Sequence, residues 1–273
     1  MAIPTFRLNS GHGIPALGVG TYKLEPSLTA ATVEQALQLG YRHVDTAALY
    51  GNEAEVGEGL RRSGVPREEV FVTTKLWNDQ HGHRAALAAF DHSLGLLGLD
   101  YVDLYLIHWP VPANGLMVEA WQALIDIAAT GRARSIGVSN FRSEDLAAVI
   151  DATGVVPAVN QIELHPLYQQ RDLRSVDADL GIVTEAWSPL GRGADLGNDT
   201  IRAVAGETGK SAAQVVLRWL IQLGIVAFPK TSKPARLAEN LAIDDFELRP
   251  DQMERINAIR DASRVGSNPA TVH

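Results

Sequence analysis

Three observations predict an α/β fold, a (β/α)8 barrel of the TIM type with an N-terminal β-hairpin. Short apolar segments rich in β-branched residues alternate with stretches of helical periodicity. Eight such segments follow the opening turn, and 273 residues is the size of one closed barrel. No low-complexity tract or linker divides the chain, so residues 1–273 are expected to form a single domain.

The opening TFRLNSGHGIPALG reads as the hairpin, two apolar runs around Asn9-Ser10-Gly11. Strand-like segments follow at 17–20, 41–45, 70–76, 101–107, 134–139, 158–163, 183–187 and 226–229. Helical periodicity covers 28–39, 53–62, 84–97, 118–130 and 144–151, with Pro26-Ser27 ahead of the first helix and Gly40 behind it. Such alternation implies parallel strands joined by right-handed crossovers. An open doubly wound sheet is the rival. Its glycine-rich first turn is missing, because Gly18-Val19-Gly20 leads to Lys23 where G-x-G-x-x-G needs a third glycine.

Composition narrows the function. Apolar residues make up 46%, and the formal net charge is −8 with a pI near 5.5. That balance argues against nucleic acid or an anionic membrane as the partner. Without cysteine there is no disulfide, thiol nucleophile or thiolate metal site. The start MAIPTFRLNS lacks a basic region followed by an apolar run, and no eighteen-residue apolar run occurs, so neither a signal peptide nor a membrane span is expected. The expectation is a cytoplasmic protein.

Barrel enzymes work at the C-terminal ends of their strands. There this chain places Asp45 with Tyr50 just beyond it, Lys75, His108, Ser139-Asn140, Gln161 and Glu163, Trp187-Ser188, and Lys230. Each has a plainer reading when taken singly. Asp45 before Thr46 serves equally as a turn cap, Tyr50 reads as a packing tyrosine, and His108 as a satisfied core histidine. Lys75 resists this, since an ammonium inside an apolar strand must be paired or neutralised. Asp45, ending the preceding strand, is its natural counter-ion. Four polar groups at three successive strand ends shift the balance toward a site.

An Asp, Tyr, Lys and His set suits proton donation to a carbonyl oxygen. A phenol has a pKa of about 10, and an ammonium within about 4–6 Å is expected to lower it by roughly 1–3 units. The imidazole would hold the carbonyl. Side chains do not supply hydride, so a nicotinamide cofactor is required. Strand eight leaves its trace. The run Phe228-Pro229-Lys230-Thr231-Ser232-Lys233-Pro234-Ala235-Arg236 puts three cations at a helix start, where the macrodipole disfavours them. A bound phosphate would neutralise them and use the free N–H groups, which points to NADP rather than NAD.

These residues fall within VGTYK, HVDTAALYGNE, TTKLWN, DYVDLYLIHWP, SIGVSNF, NQIELHP, WSPLG and PKTSKPARLAENL. In that order and spacing the chain resembles the aldo-keto reductase superfamily over nearly its whole length. Its tail, RVGSNPATVH, resembles the bacterial 2,5-diketo-D-gluconate reductase branch. The resemblance implies a metal-free barrel reducing aldehydes and ketones with NADPH, and in its short members a monomer. It implies a catalytic tetrad of Asp45, Tyr50, Lys75 and His108, with Tyr50 as proton donor. Cofactor positions carried over are Thr21, Tyr22, Asp45, Ser139, Asn140, Gln161, Trp187, Ser188, Leu190, Phe228, Lys230, Thr231, Ser232, Arg236, Glu239 and Asn240. Tyr22, Leu49, Trp77, His108 and Trp109 match the substrate pocket, for small aldehydes, α-dicarbonyls or keto sugars. Two rivals stand beside this: a non-catalytic NADP-binding regulatory barrel, and a glycoside hydrolase using Glu163 and Glu185.

Overall fold

The computed structural model describes residues 3–262 and 264–272, so Met1, Ala2, Ser263 and His273 of the expected 1–273 domain lie outside the described residues. Strands β1 (Thr5–Arg7) and β2 (Gly13–Pro15) form an antiparallel hairpin, with Phe6 opposite Ile14. Eight parallel strands follow: β3 (Val19–Gly20), β4 (His43–Asp45), β5 (Phe71–Leu76), β6 (Val102–Ile107), β7 (Ala133–Ser139), β8 (Val159–Glu163), β9 (Val183–Trp187) and β10 (Val226–Ala227). They pair in chain order. The ring closes between its first and last strands, where Leu17 bridges Ala227 and the Gly18 N–H donates to the Ala227 carbonyl at 2.8 Å.

Helices α1 (Pro26–Leu39), α2 (Glu53–Ser63), α3 (His83–Leu97), α4 (Met117–Ala129), α5 (Ser143–Thr153), α6 (Arg171–Asp179), α7 (Asp199–Thr208), α8 (Ala212–Gln222), α9 (Pro234–Leu241) and α10 (Pro250–Asn257) cover the outside. The crossover between β9 and β10 carries two of them, α7 and α8. Among the described residues no helix is long and apolar enough to cross a membrane.

Strand alternation decides which side chains meet inside the ring. Along β6, Leu104 and Leu106 join the interior cluster, whereas Tyr105 and Ile107 pack outward with the helices around Trp121 and Trp219. Along β5 the inward row runs from Phe71, in the interior cluster, through Thr73, whose hydroxyl bonds His43, to Lys75, whose ammonium meets Asp45. Apolar residues fill the lower interior and polar ones its upper layer. The hairpin plugs the bottom: Leu8 and Ile14 enter the interior cluster, and Ser10 Oγ meets Ser135 Oγ at 2.7 Å. The open end is therefore the C-terminal one.

Candidate active site

The upper layer is an ion pair under a phenol. Lys75, wholly buried, donates to both carboxylate oxygens of Asp45 at 2.8 Å and to the Thr46 carbonyl at 2.8 Å. Its Nζ also lies 3.4 Å from the Tyr50 hydroxyl. A single turn after β4 carries Tyr50 back over the strand ends. His108 follows β6 directly, with its ring 5.7 Å from that of Tyr50 and 5.2 Å from that of Trp77. Its Nδ1 is buried without a hydrogen-bond partner, which leaves Nε2 for the space above.

That space is a cavity of about 260 Å³ whose lining includes Tyr22, Asp45, Leu49, Tyr50, Trp77, His108, Trp109, Ser139, Asn140, Gln161, Trp187, Ser188, Phe228 and Lys230. Tyr22 and Leu49 are each 44% exposed and form an apolar rim. The other expected positions lie outside the lining. Lys75 is beneath it. The Thr21 hydroxyl is spent on the Asp45 carbonyl at 3.1 Å, and Leu190 packs half-buried against the barrel core. Thr231 accepts the Lys233 N–H at 3.1 Å, while Ser232 and Arg236 are exposed at the start of α9, which also carries Glu239 and buried Asn240.

Amide side chains lock the layer. Asn140 donates to the His108 carbonyl at 2.9 Å and accepts from Trp187 Nε1 at 2.8 Å, fixing the tryptophan ring. Asn140 and Ser188 hold positive φ, 62° and 50°, at the ends of β7 and β9, the strained backbone common where side chains are aimed at a ligand. Gln161 spends both amide N–H groups on Asp45 Oδ2 (2.9 Å) and Glu185 Oε2 (2.7 Å), leaving its carbonyl oxygen free to accept.

The electrostatics correct one expectation. Tyr50 is raised well above the ordinary phenol value, by burial first and then by Asp45 and Tyr22, and is not lowered by Lys75. The reason is local: the ammonium is matched by its own carboxylate, so burial dominates. His108 is pushed well below 6.5 by burial and by Lys75, so its ring is neutral at pH 7. Glu185 is lifted to about 8 by burial and by Asp45. The glycosidase pairing also fails on geometry. Glu185 is sealed under Gln161, and Glu163 is bound by the backbone of Val265 and Gly266; neither lines the cavity.

The residues present fit NADP. Lys230, Lys233 and Arg236 cluster at the N-terminus of α9, which has no side-chain cap, and among the described residues none of the three pairs with a carboxylate. The positive end of a helix beside cations that pair with no carboxylate suits a phosphate. Sequence reading missed Gly20, Pro189, Arg192, Gly266, Ser267 and Val272, which also line the cavity. The tail carries no periodicity to reveal its course, although its two backbone bonds to Glu163 fix it there.

A barrel with such a mouth is that of a dinucleotide-dependent oxidoreductase. The chain belongs to the aldo/keto reductase family, whose model matches residues 11–261. It is 51% identical over 271 residues to an aldo-keto reductase of Mycobacterium sp. (strain JLS), covering 99% of this chain and 98% of that one. It is 46% identical to morphine 6-dehydrogenase of Pseudomonas putida, covering 98% and 95%. The fold superposes on a mutant of Gox0644 in complex with NADPH with a TM-score of 0.96, at 46% identity and 100% coverage of both chains. The protein is an NADP-dependent oxidoreductase that acts on small-molecule carbonyls.

Proposed function

We propose that the protein reduces small aldehydes, α-dicarbonyls or keto sugars, with Tyr50 donating the proton and His108 orienting the carbonyl. The observation that carries this is the 3.4 Å approach of Lys75 Nζ to the Tyr50 hydroxyl inside the cavity that His108 lines. When bound, NADPH supplies the hydride. Lys230, Lys233 and Arg236 would hold its 2′-phosphate, with Trp187 and the Gln161 carbonyl at the nicotinamide end.

The raised pKa of Tyr50 keeps the phenol protonated at rest, the form a donor needs. An alkoxide is a stronger base than a phenolate, so the proton moves as negative charge gathers on the substrate oxygen. Lys75 then faces the new phenolate and stabilises it, while Asp45 keeps the ammonium charged and aimed. Neutral His108 directs an N–H from Nε2 at the same oxygen. Trp77, Trp109, Tyr22 and Leu49 give the substrate an apolar surround that excludes water. Residues 1–273 act as one domain in this reading.

Initial rates with NADPH test it, measured across aldehydes, α-dicarbonyls, keto sugars and, given the relative named for morphine, a cyclic ketone. At least one class should turn over in wild type and fail in Tyr50→Phe. Binding of NADPH with no turnover of any carbonyl would leave the regulatory-barrel reading instead.

A further inference from the structure

Beside the cavity, His165 is 1% exposed with a carboxylate at each ring nitrogen. Nδ1 lies 3.2 Å from Asp195 Oδ1 and 3.0 Å from Oδ2, and Nε2 lies 3.4 Å from Glu163 Oε1. A neutral imidazole has one N–H and would turn a lone pair toward one of these acceptors; only the imidazolium satisfies both. Burial pulls the ring pKa down, but the bonds and charges of Asp195 and Glu163 outweigh it and hold it at about 9.

The two carboxylates bind different segments that line the cavity side by side, since β8 and β9 are neighbouring strands. Asp195 sits in the loop after β9, which lines the cavity with Ser188 and Arg192, and it also accepts the Leu167 N–H at 3.0 Å. The loop folds so closely that a Cβ on Gly191, where φ is +53°, would stand 2.0 Å from Asp195 Oδ2 and 3.1 Å from His165 Nδ1. Glu163 ends β8 and holds the tail, accepting the N–H groups of Val265 and Gly266. That tail lies on Trp187, since a Cβ on Gly266 would stand 2.2 Å from the indole ring. Gly266, Ser267 and Val272 line the cavity in turn.

We propose that His165 is a positioning residue that, as an imidazolium, fastens the cofactor-side loop through Asp195 and the C-terminal tail through Glu163 to one point. The two segments then loosen together. The inference rests on reading the cavity as the NADPH site. The other charged or titratable neighbours are Tyr168, its ring 6.2 Å from that of His165, and Arg264, which lies 3.7 Å from Glu163 and over the Tyr168 ring. Burial keeps the Tyr168 phenol above its ordinary value, and His165, Val265 and Arg264 keep Glu163 below its own against burial. His165 is therefore the member of this group that changes charge between pH 7 and 10.

Two readouts test the coupling. In the apo protein, amide exchange at Val265 and Gly266, corrected for intrinsic base catalysis, should rise with a midpoint near pH 9 in wild type and be raised at every pH in His165→Gln. In stopped-flow release of NADPH, Glu163→Gln should speed departure by roughly fivefold or more, the lower end of coupling between sites, because the Glu163 carboxylate binds the tail amides and reaches the loop after β9 through His165. Unchanged NADPH release in Glu163→Gln, or the same pH midpoint in His165→Gln, overturns the proposal. Should His165→Gln not fold, Asp195→Asn replaces it, with raised exchange at Val265 and Gly266 expected and unchanged exchange fatal. Failure of wild type to bind NADPH sinks the cofactor reading and leaves the exchange test standing.

Discussion

Lys75 Nζ lies 3.4 Å from the Tyr50 hydroxyl while both oxygens of Asp45 hold it at 2.8 Å. Its charge is thus balanced at rest and most useful once a second anion forms beside it. Replacing Lys75 with Met is expected to slow reduction by roughly 10–1,000-fold, the rate equivalent of 1–3 pKa units withheld from the phenolate. The same change leaves Asp45 buried without its partner, at a cost of about 3–5 kcal/mol. Adding Asp45→Asn to it should restore stability in urea unfolding without restoring single-turnover rate. Recovery of both together would mean that Lys75 only holds the fold.

The protonation states fix the pH response. Tyr50 keeps its proton until well above pH 10, and His108 stays neutral until well below pH 6.5. The single-turnover rate of reduction at saturating NADPH should be level from pH 6 to pH 8.5, and alcohol oxidation, which needs the phenolate, should climb with pH. Tyr50→Phe should cut reduction by at least about 10²-fold with NADPH affinity unchanged. A bell-shaped reduction profile centred in the neutral range would contradict these assignments.

Most of the barrel was legible because its signals are local. The strands at 71–76 and 102–107 are buried on both faces, as parallel barrel strands are, and their apolar runs are evident in the sequence. Helix α1 begins earlier than its periodicity suggests because Pro26 supplies the first helical position. The gathering of Asp45, Tyr50, Lys75 and His108 was legible for the same reason, since Asp45, Lys75 and His108 sit at strand ends whose direction the fold class dictates and Tyr50 follows one turn beyond. The electrostatics of Tyr50 were not. Sequence shows a nearby lysine, but the sign of the shift depends on how completely Asp45 neutralises it and on burial, both three-dimensional quantities. The tail at 264–272 was equally hidden, because backbone amides that bind Glu163 carry no sequence signature.

Cofactor preference should rest on the start of α9. Arg236 is exposed in the first turn of α9 and Lys230 is exposed just ahead of it. Arg236→Ala is expected to weaken NADPH by roughly tenfold, about 1.4 kcal/mol, in line with the loss of one hydrogen bond to a charged group. NADH, which lacks the 2′-phosphate, should be nearly unaffected. Fluorescence titration with both cofactors checks this, and raising ionic strength should shrink the difference. Equal weakening of the two would place the 2′-phosphate elsewhere.

Glu185 makes a prediction with an unusual sign. It is wholly buried, and its pKa rises from 4.5 to about 8 through burial and the charge of Asp45. The unfolded chain therefore loses this proton near pH 4.5, whereas the folded one keeps it until about pH 8. Folded protein binds more protons across that window, so stability falls as pH rises through it and levels off above. At about 1.4 kcal/mol per unit the ceiling is ~5 kcal/mol. Glu185→Gln preserves an acceptor for the Gln161 N–H and cannot ionise, so it should match wild type near pH 4.5 and exceed it at pH 8 by up to that amount. Urea unfolding of both proteins across this range reads the difference directly. Curves that stay parallel would show Glu185 ionising near its ordinary value, with water reaching the layer beneath Asp45 and Lys75.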